Sequence, residues 1–509
     1  MAPSLTLFIL VGYFAMLIAI SLLTSKRSDQ DTFFTGNRDN PWWLIAFGMI
    51  GSTISGVTFI SVPGNVGSAN FSYFQVVLGY LLGYLAIATI LMPMYYRLQL
   101  ISIYQYLEQR FGFWSYKTGA VFFLLSRLVG ASLRLYLAAM VLQIFIFDEW
   151  KVPFAVTVLL SVALIYLYTF RAGIKTIVWT DTLQTVFLLS GVIVSIYLIS
   201  QRMNLGLGEV LQEVRSSELS SVFVWDWAKP SYFWKHFVGG AFIAITMTGL
   251  DQEMMQKNLS CRSLRDAQKN MFAFTITLFF ANLLFLGLGV LLYRYGEQSG
   301  IIEVARSNGF QLLFKNAETG VMEAIRTDQY FPKLAFGYLG PAAALAFILG
   351  VIAATYASAD AALTGLTTSF CVDILGFQQR SDETRKRQIR MGVHLALSLA
   401  MIVVILAFHA LNNAAVINQV LDIAGYTYGP LLGLYAFGLF TRRSIRDAWT
   451  PLVCVSAAVI SYALKRQGIG AYQFGFEIVL LNGILTAAGL WAISRKEEKT
   501  ENQGSTAVA

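Results

Sequence analysis

The sequence is short of charge. Of its 509 residues only 13% are Asp, Glu, Lys or Arg, about half the share that wets the surface of a soluble domain. It is also short of cysteine. Cys261, Cys371 and Cys454 have neither the number nor the spacing of a disulfide framework or a metal site. The three histidines, His236, His394 and His409, are scattered near the ends of apolar runs, which predicts interfacial positions. The first apolar run has no basic segment before it and no small-residue cleavage site after it, so it is expected to be retained. Paired His/Asp metal motifs, Ser/Lys or Ser/His catalytic signatures and nucleotide-binding fingerprints are missing, and no enzymatic activity is expected. The net charge of +8 is distributed in the manner of basic loops beside a membrane rather than of a nucleic-acid face.

What is present is hydrophobicity: 56% of residues, with a mean hydropathy of +0.60. Thirteen apolar runs approach or exceed the roughly 18 residues that cross a bilayer as a helix. They cover approximately 4–24, 41–66, 72–96, 118–146, 152–170, 176–201, 234–255, 271–293, 336–375, 391–409, 416–440, 448–464 and 473–494. An all-α membrane protein of about 13 transmembrane helices follows, with the lipid bilayer as its partner and no obligatory protein partner evident. Lys and Arg concentrate in alternate loops, including Lys257, Arg262, Arg265 and Lys269, then Arg385, Lys386, Arg387 and Arg390. That asymmetry predicts an inner (plasma) membrane protein with its N-terminus outside and its C-terminus cytoplasmic. Trp42, Trp43, Trp225, Trp227 and Trp234 read as interface anchors.

Two spans, five apart, are rich in glycine and hydroxyls. The second holds Gly48, Gly51, Gly56, Pro63 and Gly64 among Ser52, Thr53, Ser55 and Thr58; the seventh holds Gly239, Gly240, Thr246, Thr248, Gly249 and Asp251. Unwound backbone at membrane depth occurs where it is buried or lines a cavity, which makes both spans candidates for a transport site. Close helix packing through small residues is the alternative.

Four strings carry a resemblance. RAGIKTIVWTDTLQ (Arg171 to Gln184), ISIYQYLEQRFG (Ile101 to Gly112), GYTYGPLLGLYAFGLFTRR (Gly425 to Arg443) and the run from Asp251-Gln252 to Gln256 resemble, in order, motifs of the sodium/solute symporter family. That family includes sodium–glucose and sodium–sialic acid cotransporters. The resemblance implies a LeuT-type inverted five-helix repeat with broken first and sixth core helices. It divides the chain into an N-terminal extra helix and loop (1–40), a first repeat (41–201), an extracellular loop (202–233), a second repeat (234–440), two C-terminal helices (441–494) and a disordered tail (495–509). It also implies a secondary symporter that couples sodium ion to uptake of a small-molecule substrate, a small polar organic solute such as a sugar, a sugar acid or another carboxylate, by alternating access. A proton-coupled symporter of the same fold, or a membrane sensor or channel, are the alternatives.

Carried over by position, the family's common sodium site falls on backbone carbonyls of Gly51, Ile54 and Ala354 and on side chains of Ala357 and Ser358. Ala357 has no hydroxyl, so this chain departs from the pattern by one ligand. A second cation site in some relatives uses the Asp of W-T-D, here Asp181. The facing positions in the ninth span are Asp360 and Ala361. A carboxylate within a span is costly unless it binds an ion, a proton or a cationic partner. Asp181 and Asp360 therefore share a cation or proton, or Asp360 pairs with an arginine.

For the substrate, the resemblance points to the break in the second span, where Thr53, Ser55 and Thr58 place three hydroxyls. Gln75 is a further candidate. Arg127 and Arg134 are seven residues apart, on one helical face of the fourth span. Arginine suits bidentate binding of a carboxylate, which predicts an anionic substrate such as a sugar acid. Pairing with Asp181, Asp251, Asp360 or Asp422 is the competing expectation.

Overall fold

A computed structural model describes residues 3–24, 38–170, 174–305, 310–377, 382–411, 416–468 and 472–495. Each of the thirteen apolar runs contains helix. Eight helices are individually long and apolar enough to cross a bilayer, or nine if the broken second span counts as one. The fifth (Phe154–Thr169) and thirteenth (Ile478–Ala492) are shorter apolar helices, and the seventh is interrupted. By length and hydropathy alone, the described residues account for eight or nine of the thirteen expected spans, and Val416–Phe440 forms a further helix on the eleventh run.

The second span is two helices, Trp42–Thr53 and Gly56–Ala69, bent by 62° at Ile54 and Ser55. Both hinge residues are extended, with ψ of 92° and 170°. The carbonyls of the last turn of Trp42–Thr53 thereby lose their intrahelical amide partners. The seventh span breaks at the same depth in the chain pattern, five spans on. Phe233–Ala244 runs into a wide turn at Ile245–Gly249, opens at Leu250 and Asp251, and resumes as Gln252–Leu259. Here the open carbonyls are taken: Tyr95 donates to Gly249 O at 2.8 Å and Tyr104 to Leu250 O at 3.0 Å.

Close approach explains where the second span sits. Gly51 N–H donates to Thr185 Oγ1 at 2.9 Å, and a Cβ there would stand 2.5 Å from that hydroxyl. A Cβ on Gly56 would collide with Thr355 Oγ1. These two glycines press the break between the sixth span (Ile174–Arg202) and the ninth (Pro341–Ser369). The ninth helix is buried without interruption from Val351 to Ser369, which is why its sequence shows no amphipathic face. It begins at Pro341 after Gly340 at φ 86°, so residues 336–340 of the apolar run are turn and the end of a separate helix, Thr327–Gly337.

Between the eighth span (Leu264–Gln298) and that short helix lies a small antiparallel sheet of Ile302–Ala305, Gln311–Lys315 and Met322–Ile325. Composition gives no hint of it, because three short strands vanish in a chain dominated by apolar helix.

Candidate functional site

A cavity of about 100 Å³ opens at the break of the second span. Ser52, Thr53, Ile54, Ser55, Val57 and Thr58 form one wall, and Tyr73, Tyr80 and Tyr84 of the third span another. Arg127 and Arg134 come from the fourth span, Met247 and Thr248 from the seventh, and Asn282 from the eighth. The break thus supplies polar groups, the tyrosines apolar ring faces, and the arginines positive charge. Such a mixture of aromatic walls with a few aimed polar groups is the usual lining of a small-molecule site.

The two arginines have different surroundings. Arg127 is buried and paired: its guanidinium meets the Glu253 carboxylate and stands 3.8 Å from Asp251 Oδ2. Arg134 is partly exposed to the cavity and has no ion-pair partner among the described residues; its Nη1 donates to Ser358 Oγ at 3.1 Å. The competing expectations for these residues therefore divide, pairing for Arg127 and an open cationic group for Arg134. Thr53 Oγ1 is buried without a hydrogen-bond partner, while Thr58 is partly exposed.

Gln75 is not in the cavity lining. Its amide donates to the carbonyls of Ser72 at 3.1 Å and Ser231 at 3.0 Å, and its oxygen accepts from Val224 N at 3.1 Å. It ties the loop between the sixth and seventh spans to the third span. A glutamine at a helix start satisfies nearby backbone more readily than it reaches a cavity, which accounts for the difference.

At the carried-over sodium positions, Gly51 and Ile54 lie at the break, and Ala354, Ala357 and Ser358 on the buried ninth helix. Gly56 would set a Cβ 3.3 Å from Val351 O, so the two elements touch there. Ala357 leaves an apolar gap in this set of oxygens. Thr355, one residue beyond Ala354, carries a buried hydroxyl without a hydrogen-bond partner. Ser358 Oγ is engaged by Arg134.

Asp181 and Asp360 are both buried. Asp360 Oδ2 accepts from Tyr168 at 2.8 Å, and its Oδ1 has no hydrogen-bond partner. No arginine pairs with it among the described residues. Asp181 Oδ2 is 2.7 Å from Lys257 Nζ, and its Oδ1 is also open. Lys257, a loop charge by its place in the sequence, is 1% exposed and lies inside the bundle. The positive-inside pattern is blind to whether a basic residue at a span's end turns inward. The side chain of Asp422 is outside the described residues.

Two further readings change. His394 is buried, its ring nitrogens 2.9 Å from Thr169 Oγ1 and 2.8 Å from Thr367 Oγ1, so it links the tenth span to the fifth and ninth. His236 likewise is buried, near Ser72 O at 3.1 Å. The tyrosines of the cavity were not singled out from the sequence, although their spacing, seven and then four residues, marks one helical face. Glu253 and Lys257, four apart, carried the same signal for an internal pair.

A model of the sodium:solute symporter family matches residues 33–447. The sodium/sialic acid symporter NanT of Aliivibrio fischeri is 23% identical, over 94% of this chain and 92% of that protein. The human sodium/iodide cotransporter is 24% identical over 84% of this chain and 65% of its own length. A solved structure of a Na+-coupled sialic acid symporter, substrate-bound and outward-open, has a TM-score of 0.79 at 18% identity and covers 96% of this chain and 99% of that one. A nucleobase-cation-symport-1 transporter in a closed conformation gives a TM-score of 0.53 at 15% identity, covering 90% and 93% of the two chains.

Proposed function

The chain belongs to the sodium:solute symporter family, and from that premise we propose that it couples sodium influx to the uptake of a small organic anion, a sugar acid or another carboxylate, by alternating access. It is an integral membrane protein, and the basic loops favour an outside N-terminus and a cytoplasmic C-terminus.

The observation that carries the anionic substrate is Arg134. A guanidinium in a membrane cavity with no carboxylate paired to it among the described residues leaves an uncompensated charge, which is costly unless something anionic arrives. A carboxylate bound there gains charge-assisted, bidentate hydrogen bonds. Thr53, Ser55 and Thr58 line the same cavity and offer hydroxyls for the polar remainder of the solute, and the three tyrosines suit the apolar faces of a ring. Arg127 belongs to the frame of the site, held by Glu253 and Asp251.

Sodium is a hard cation that takes oxygen ligands. The carbonyls of Gly51, Ile54 and Ala354 with Ser358 are the set for it. Ala357 contributes no hydroxyl, and Thr355 is the neighbouring oxygen able to replace it. Asp360, with one oxygen held by Tyr168 and the other open, favours a second cation or a proton at that carboxylate.

The test is uptake into proteoliposomes. Sialic acid, other sugar acids and monocarboxylates are expected to accumulate under an inward sodium gradient, and neutral sugars are not. Accumulation of a neutral sugar with carboxylates excluded would remove the anion assignment. Accumulation under a proton gradient alone would replace sodium by the proton.

A further inference from the structure

Lys257 sits in an oxygen cage. Its ammonium is 2.7 Å from Asp181 Oδ2, 2.8 Å from Ser52 Oγ and 3.1 Å from Glu253 Oε1. An ammonium has three donors and no acceptor, so these three oxygens satisfy it completely. They come from three separate elements: the inner half of the second span, the sixth span, and the inner half of the seventh, on which Lys257 itself lies. All four residues are at most 2% exposed. Two carboxylates and a hydroxyl converging on one point, away from water, are donors of the kind a hard monovalent cation takes. Asp181 Oδ1, buried and without a hydrogen-bond partner, faces the same interior.

The charges around the cage call for a cation there. Arg127 meets the Oε2 side of Glu253, and Asp251 is satisfied by the Tyr428 hydroxyl at 2.6 Å and the Met254 amide at 3.2 Å. Neither arrangement neutralises Asp181. Without the lysine, Asp181 and one face of Glu253 would stand as bare buried carboxylates, an outcome that proteins avoid by pairing or by binding a metal ion.

We infer that the Asp181–Glu253–Ser52 cage is a monovalent-cation site kept permanently filled by the protein's own Lys257 ammonium. The tethered cation holds the inner halves of both broken spans against the sixth span, and it removes this site from the ions exchanged in the transport cycle. The lysine therefore sets how many metal cations the chain can bind. Asp360 and the carbonyls at the break remain outside the cage and are available to exchangeable ions. The inference rests on the sodium-coupled reading only for the meaning of that number; the cage and its occupant are independent of the substrate.

The experiment counts bound ions on the purified full-length chain in lipid nanodiscs, with radiolabelled sodium and, separately, rubidium as probes. Lys257→Gln is expected to bind one more ion per chain of at least one of the two than the wild type. Lys257→Arg, which keeps a cation in place, and the double variant Asp181→Asn/Lys257→Gln, which removes the charge that draws the ion in, are expected to match the wild type. An unchanged count of both ions in folded Lys257→Gln would overturn the inference, as would an equal gain in the double variant. Where Lys257→Gln is unstable in choline chloride, saturating sodium or rubidium chloride is expected to restore its thermal midpoint; failure of both salts to do so overturns the inference as well. If instead the wild type shows no sodium-driven uptake, the proposed function fails while the difference between variants stands.

Discussion

At the scale of single residues, the site turns on which charges are already paired. Arg134→Gln removes a charge-assisted contact worth about 1.5–3 kcal/mol. The KM for a carboxylate substrate is therefore expected to rise between roughly tenfold and a hundredfold. The same variant frees Ser358 Oγ, which Arg134 engages at 3.1 Å. Sodium binding in the absence of substrate is thus expected to tighten, and titration with sodium would find it weaker or unchanged if Ser358 is not a ligand. Ala357→Ser restores a hydroxyl at the gap in the sodium set. At about 1 kcal/mol per net hydrogen-bond-like contact, sodium affinity is expected to improve roughly fivefold, read from the sodium dependence of uptake. Glu253→Gln strands Arg127 in the interior. Leaving one member of a buried pair costs about 3–5 kcal/mol, so its thermal midpoint is expected to fall well below that of the double variant Glu253→Gln/Arg127→Met.

At the scale of elements, much was legible and the reasons are specific. Apolar length located the helices because lipid demands it. The glycines of the second span announced its break, since Gly51 and Gly56 are needed for contact with Thr185 and Thr355. The break in the seventh span was marked by Gly249 and Asp251. The start of the ninth helix was not legible, because the helix ending at Gly337 and the one starting at Pro341 join into one apolar run. Nor was the three-stranded sheet, nor the direction of Gln75 and Lys257, since a sequence gives a side chain's position along the chain but not the neighbour it turns toward. Gly56→Ala tests the close contact between elements. Overpacking of this kind costs about 1–3 kcal/mol. Thr355→Ala, which removes the hydroxyl in the way, is expected to recover most of that loss in thermal unfolding of the purified protein.

At the scale of the whole molecule, folding hides every thiol. Cys261, Cys371 and Cys454 are all buried. Cys261, in the loop between the seventh and eighth spans, has its thiol pushed up to about 12 by burial, with Asp266 adding to the effect. The thiolate is the reactive form, so maleimide at neutral pH is expected to leave the folded chain unlabelled and to modify all three cysteines after denaturation in detergent. Labelling of the intact chain would show that the bundle opens on its own. The two broken spans also differ as machine parts. The seventh is bolted through its freed carbonyls to Tyr95 and Tyr104, so it travels with the third span and the adjoining loop as a single stiff lever. In the second, among the described residues, no side chain bonds the carbonyls of Ile54 and Ser55; the nearest braces are the Gly51 amide on Thr185 and the Lys257 ammonium on Ser52, just before the joint. Compliance is therefore expected at this joint, which also borders the cavity, so that a solute bound there would bear directly on the part most able to bend.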